Sequence, residues 1–105
     1  MLFKPEHIKM ILSGKKTMTR RAWKKPMVKV GGVYKCKTKL YSKDYFAKIR
    51  VDKLCQQKLG DATLGDVKKE GYSSRDDFRE IWIKINGNWD LEQTVWVIEF
   101  ELVEV

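Results

Sequence analysis

The last twelve residues, TVWVIEFELVEV, constrain the fold more than any other stretch. They are mostly β-branched or aromatic. They also alternate, with Trp96, Ile98, Phe100 and Leu102 on one side and Val95, Val97, Glu99 and Glu101 on the other. A period of two over this length predicts a long strand. Two upstream runs supply partners of the same period. KVGGVYKCKTKLY leaves a Gly-Gly turn and sets Val33, Lys35 and Lys37 against Tyr34, Cys36 and Thr38. YFAKIRVDKLC sets Ala47, Ile49 and Val51 against Lys48, Arg50 and Asp52. Both read as half-buried strands.

Helices are expected around these strands. KPEHIKMILSGK has Pro5 in a first turn, Ile8, Ile11 and Leu12 at i, i+3, i+4, and Gly14 as a left-handed stop. TLGDVKKEG predicts a short helix capped by Thr63 and ended by Gly71. SSRDDFREIWIKING is the clearest helix, with serines and acids at its start and an apolar stripe of Phe78, Ile81, Trp82 and Ile85. The order helix, strands, helices, long strand predicts an α+β domain, with a curved antiparallel sheet or small β-barrel and short helices on its flank. At 105 residues the chain is read as one domain, 1–105, without repeats or linkers.

Composition narrows the function classes. No apolar run approaches the roughly 18 residues needed to span a membrane, and Pro5 and the charges of MLFKPEHIKM fit no signal peptide. A cytoplasmic location is expected. Cys36 and Cys55 sit in strand-like runs and are expected to be two small buried thiols. With His7 the only histidine, no zinc quartet can be assembled from thiols and imidazoles, and no cofactor or metal is expected.

The net charge of +8 is unevenly distributed. Residues 1–60 hold 17 Lys and Arg against 3 Asp and Glu, whereas residues 61–105 hold 5 against 11. Either basic and acidic segments face each other in the fold, or one face of the molecule is positive and awaits an anionic partner. The lysines are too numerous for full pairing, so a positive face is expected.

The stretch SGKKTMTRRAW concentrates these cations near the chain start. Gly14, Lys16, Thr19 and Arg21 form a G-x-K-x-x-T-x-R pattern just after the first helix. This pattern resembles the signature of the ASCH domain, in the PUA-like superfamily. VGGVYKC, EGYSSRDDF and WVIEFELV resemble further segments of that family in the same order, so that the likeness covers nearly the whole chain. VGG departs from a common Val-Gly-Asp, so no acid is assigned there. The resemblance implies a barrel of about five or six strands, a cleft lined by the motif, and RNA or a modified nucleoside as ligand. It also implies a narrower alternative, since the small bacterial acetylcytidine amidohydrolases share the motif. Those enzymes use a lysine, a threonine and a glutamate, without metal, to remove the acetyl group from the cytidine exocyclic amine. Carried over, these positions are Lys16, Thr19 and Glu70. A third reading is a basic module that meets an acidic protein.

Taken by themselves, the residues leave their roles open. Arg21 suits a phosphate or a base edge, or a structural ion pair with Glu70 or Glu99. Lys16 can hold an anion, act as a base if it is neutral beside Arg21, or be an ordinary solvated lysine. Thr19 is a donor, a nucleophile or a strand residue. Glu70 is a catalytic carboxylate, or it pairs with Lys68 or caps its helix. Trp23 and then Tyr72 are the aromatics best placed to stack on a base, and Tyr41, Tyr45, Trp89 and Trp96 are further candidates. Trp82, Trp96 and Phe100 are assigned to the core. In an ideal strand Thr19 and Arg21 share a face and Lys16 points away, so the three converge only if the chain turns near Thr17 and Met18. No RRM or KH signature is present.

Overall fold

The closing strand is the axis of the molecule. In the structure, a computed structural model describing residues 1–105, it runs from Thr94 to Glu104 (β4). It has neighbours on both sides, in a sheet of order β1-β4-β3-β2. β1 is Met18–Arg21, β2 is Val33–Cys36 and β3 is Ala47–Lys58. All pairings are antiparallel. The sheet is a curved half-barrel of four strands, so the five or six implied by the family resemblance are not reached. Leu2 and Lys37 add only an isolated bridge at one end.

Curvature has a local cause. The β3–β4 register shifts between Lys48 and Ile49 and again between Val51 and Lys53, leaving Asp52 without an opposite number. Such an irregularity bends a strand and increases its twist. Ahead of the second shift the expected alternation holds, with Ala47, Ile49 and Val51 fully buried. β4 departs from simple alternation. Val95 and Val97 are buried along with Ile98 and Phe100, and Val95 packs against Val67 of the second helix and Phe78 and Trp82 of the third. Trp96, assigned to the core, is only half-buried. Cys36 is buried, and burial pushes its thiol pKa up to about 11. Cys55, expected to be buried, is exposed on β3.

The helices follow their caps. α1 (His7–Leu12) buries His7 and Ile11 and is stopped by Gly14 at φ +79°. α2 (Leu64–Lys69) starts at a capping box in which Thr63 accepts from the Asp66 amide and Asp66 accepts from the Thr63 amide. α3 (Arg75–Asn86) is capped by Ser74 and ends at Gly87, φ +84°. Its stripe divides. Phe78 and Trp82 pack with Leu59, Val67 and Val95, Ile81 touches that cluster from its margin, and Phe78, Ile81 and Ile85 also line a cavity. No helix is long and apolar enough to cross a membrane.

Candidate functional site

Between α1 and β1 the chain makes the turn that convergence requires. The Lys16 amide donates to the Met10 carbonyl, closing the stop after α1. Thr17 is then tied from both sides, its amide donating to Lys69 at the end of α2 and its carbonyl accepting from Phe100 on β4. β1 begins one residue later, at the edge of the sheet. Lys16 thus leaves the strand alternation and swings its ammonium under α2.

There it is fully coordinated. Lys16 Nζ donates to Glu70 Oε1 at 3.0 Å, to the Glu70 carbonyl at 3.0 Å and to the Met18 carbonyl at 2.9 Å. Both side chains are almost completely buried, 2% and 3% exposed. Burial lowers the lysine pKa, and the Glu70 carboxylate opposes that shift. An ammonium has three N–H groups, and all three are used here.

Glu70 spends its other oxygen on Arg20, whose Nη1 lies 2.9 Å from Oε2. Arg20 Nη2 donates to Gln57 Oε1 at 2.8 Å and to Asp66 Oδ2 at 3.1 Å. The sequence motif passes over Arg20, yet it is the hub of the buried ion pairs. One signal could have found it: Asp66 and Glu70 are four residues apart around α2 and so face one cation together. Glu70 pairs with Lys16 and Arg20 and takes no part in a bridge with Lys68.

Arg21, one residue on, has the opposite surroundings. It forms no ion pair with Glu70 or Glu99, and its Nε, like that of Arg20, is buried without a partner. Its guanidinium carbon stands 4.8 Å over the ring of Phe3, a favourable but weak contact. Burial lowers its pKa, opposed by the Glu70 carboxylate.

Gly71 turns the chain after Glu70 with φ +103°, where an added Cβ would stand 2.7 Å from Met10 Sδ. The turn brings Tyr72 to His7, with the phenol oxygen 2.6 Å from Nε2 and the rings edge to face. Burial lowers the His7 pKa to about 4, with help from Lys16, Arg21 and Lys4, so the imidazole is neutral at neutral pH. Burial raises the Tyr72 pKa, and the phenol keeps its proton.

These groups line one cavity of about 450 Å³. Lys16, Thr19, Arg21, Trp23, Glu70 and Tyr72, all singled out from sequence, are in its wall, and His7 and Arg20 join them. Gly14 is not in the wall; it is the exposed turn that lets the chain reach it. Residues from both faces of β1 contribute, which places the cavity at that strand's free edge. Phe3, Ile81 and Ile85 form its apolar side. Thr19 is buried at 5% exposure and lies directly opposite Ile98 in the sheet. The cavity therefore has a polar floor, an apolar flank and aromatic rims, with a size ordinary for small-ligand sites. Three cations, Lys16, Arg20 and Arg21, meet two carboxylates, Glu70 and Asp66, so the buried cluster carries one uncompensated positive charge.

No family model matches the chain, and no curated protein matches it in sequence. Solved structures do. An ASCH domain from Lactobacillus crispatus superposes with a TM-score of 0.65 at 13% identity, covering 93% of this chain and 70% of the other. An ASCH protein from Zymomonas mobilis gives a TM-score of 0.64 at 16% identity, over 100% of this chain and 70% of the other. A hypothetical protein of similar length gives 0.71 at 18% identity, over 96% and 94%. At these identities the likeness concerns architecture: the chain has the fold of the ASCH domain, a PUA-like α+β fold.

Proposed function

We propose that this protein binds a nucleoside or nucleotide unit, free or within RNA, in the cavity at the edge of β1. The observation that carries the reading is Arg21. Its charged guanidinium lines a cavity of about 450 Å³ without a counter-ion, and a half-buried cation of this kind is stabilised by an anion or a carbonyl acceptor. Trp23 and Tyr72 supply flat surfaces for a base, and the neutral His7–Tyr72 pair offers a donor and an acceptor to its edge. Calorimetric titration with cytidine, acetylcytidine and cytidine monophosphate tests this. At least one should bind with a one-to-one stoichiometry, and Arg21→Gln should weaken it at least tenfold with the thermal melt unchanged. Equal binding by the variant, or no binding by a folded wild type, would sink the proposal.

A second reading, hydrolysis of the acetyl amide of acetylcytidine, rests on Lys16, Thr19 and Glu70 sharing the cavity wall. Catalysis requires Lys16 to lose a proton and then accept that of Thr19. With all three N–H groups engaged, Lys16 is held as the ammonium, so it must first be released from Glu70. Binding is therefore the leading reading. Chromatography of acetylcytidine incubated with wild type and with Lys16→Ala separates the two. Cytidine formed by the wild type alone would make the site catalytic.

A further inference from the structure

The charge excess of the first sixty residues has two fates. Cations of β3 are matched by acids of β4 or of the loop before it: Lys48 to Glu104, Arg50 to Glu101, Lys53 to Glu99 and Lys58 to Glu92. Lys16 and Arg20 are matched inside. The seven lysines between residues 24 and 43 are matched by nothing: the one acid between 22 and 45 is Asp44, and none of the seven joins an ion pair. The same segment holds the most exposed apolar side chains of the chain interior, Tyr41 at 95%, Met27 at 68% and Leu40 at 64%.

Position decides what this surface fits. Trp23 and Thr38 are both in the cavity wall. The chain passes from Trp23 straight into Lys24 and Lys25, and from Thr38 into Lys39, Leu40 and Tyr41. The two lysine-rich loops are therefore the continuation of the cavity rim. A ligand that left the cavity along that rim would meet cations interleaved with an exposed aromatic ring, which is the composition of a single-strand track. A double helix would use the cations and leave Tyr41 without a role. A protein acid patch would have no reason to begin at the cavity.

We infer that the loops flanking the cavity, 24–30 and 39–43, form a track for single-stranded polynucleotide, with one nucleotide in the cavity and its neighbours on Lys24, Lys25, Lys39, Lys43 and Tyr41. The inference rests on the nucleotide reading of the cavity and extends it from a unit to a strand.

Fluorescence anisotropy with 5′-labelled oligocytidylates of one, four and eight nucleotides tests it. Affinity should rise at least tenfold from monomer to octamer. The octamer should lose affinity with salt at a log–log slope of about −2 to −3, given about −0.7 per phosphate contacted on a single strand. Replacing Lys24, Lys25, Lys39 and Lys43 by Gln, all exposed and unpaired, should bring the octamer down to monomer affinity and leave the monomer's untouched. Tyr41→Ala should cost the octamer at least about fivefold. If monomer and octamer bind alike, the track is wrong and the cavity reading stands. If neither binds, the cavity reading falls with it. An octamer preference indifferent to the four lysines would put the strand elsewhere and overturn the inference. Binding to phosphatidylserine vesicles that the four substitutions abolish, with no octamer preference, would make the loops a membrane surface and overturn it too.

Discussion

Two ionic systems in this small molecule use the same residue types to opposite effect. Behind the cavity, Lys16, Arg20, Glu70 and Asp66 form a linked cluster whose central members are at most 3% exposed. Across the outer face of β3 and β4, Arg50, Glu101, Lys48 and Glu104 form pairs of similar length whose members are 31–63% exposed. Distances alone would rank them equal. Solvent ranks them apart, because an exposed pair merely exchanges water for a partner. A buried group that loses its partner keeps its desolvation cost with nothing in return.

The contrast is sharpest at Glu70. Glu70→Gln takes the only shared carboxylate from Lys16 and Arg20, and should cost about 3–5 kcal/mol of unfolding free energy in a urea titration. A loss below about 1 kcal/mol would mean that the inner cluster behaves like the outer ladder, and the distinction would collapse.

His7 provides the next largest effect, and its sign follows from linkage. Its pKa is about 4 in the folded protein against 6.5 unfolded. Between those values the unfolded chain takes up a proton that the folded one refuses. Stability is therefore complete above pH 6.5 and falls as the pH drops toward 4, by roughly 1–3 kcal/mol. Urea midpoints of wild type and His7→Gln, compared between pH 7.5 and pH 4.5, isolate this share. Parallel curves would place the imidazole in contact with water.

A cap ties the inner cluster to local structure. Thr63 holds the first turn of α2 and, through the Asp66 carboxylate it shares with Arg20, one end of the ion-pair chain. Thr63→Ala should cost about 1 kcal/mol. In an Arg20→Met background the cost should shrink if cap and cluster are coupled; additive losses would separate them. The smallest effect belongs to the ladder. Glu101→Gln removes a well-formed contact with Arg50, yet should leave the urea midpoint almost where it is, and 1 M salt should erase what difference there is. A larger, salt-resistant loss would show the outer face to be drier than its exposure indicates.

Much of the architecture was legible because it is written in short-range chemistry. Thr63 with Asp66, Ser74 with Asp77, and the glycines at 71 and 87 start and stop their helices through contacts four residues long or less. The alternation of Ala47, Ile49 and Val51 placed β3 correctly up to Asp52. Past that residue the register shift altered which side chains oppose each other, and no property of Asp52 itself announces it. Ile81 and Ile85 carry the period of core residues and line a cavity, since periodicity identifies the apolar side of a helix and not what lies against it.

The site divides in the same way. Gly14, Lys16, Thr19 and Arg21 were recognisable as a group, and Trp23, Glu70 and Tyr72 as companions, from residue type and order in the chain. That Lys16 and Glu70 lie 3.0 Å apart across 54 residues depends on the turn at Thr17 and on α2 packing over β1. Nor can order in the chain distinguish Arg20 from Arg21, two identical neighbours. A strand sends successive side chains to opposite faces, and tertiary packing set two acids against the Arg20 guanidinium and none against that of Arg21, although both arginines reach the cavity wall. Sequence alone determined which residues could do chemistry and where the helices begin and end, because those depend on neighbours a few bonds away. Which arginine is bound into the ion-pair cluster and which is left without a counter-ion was decided by the topology that brought α2 to the edge of β1.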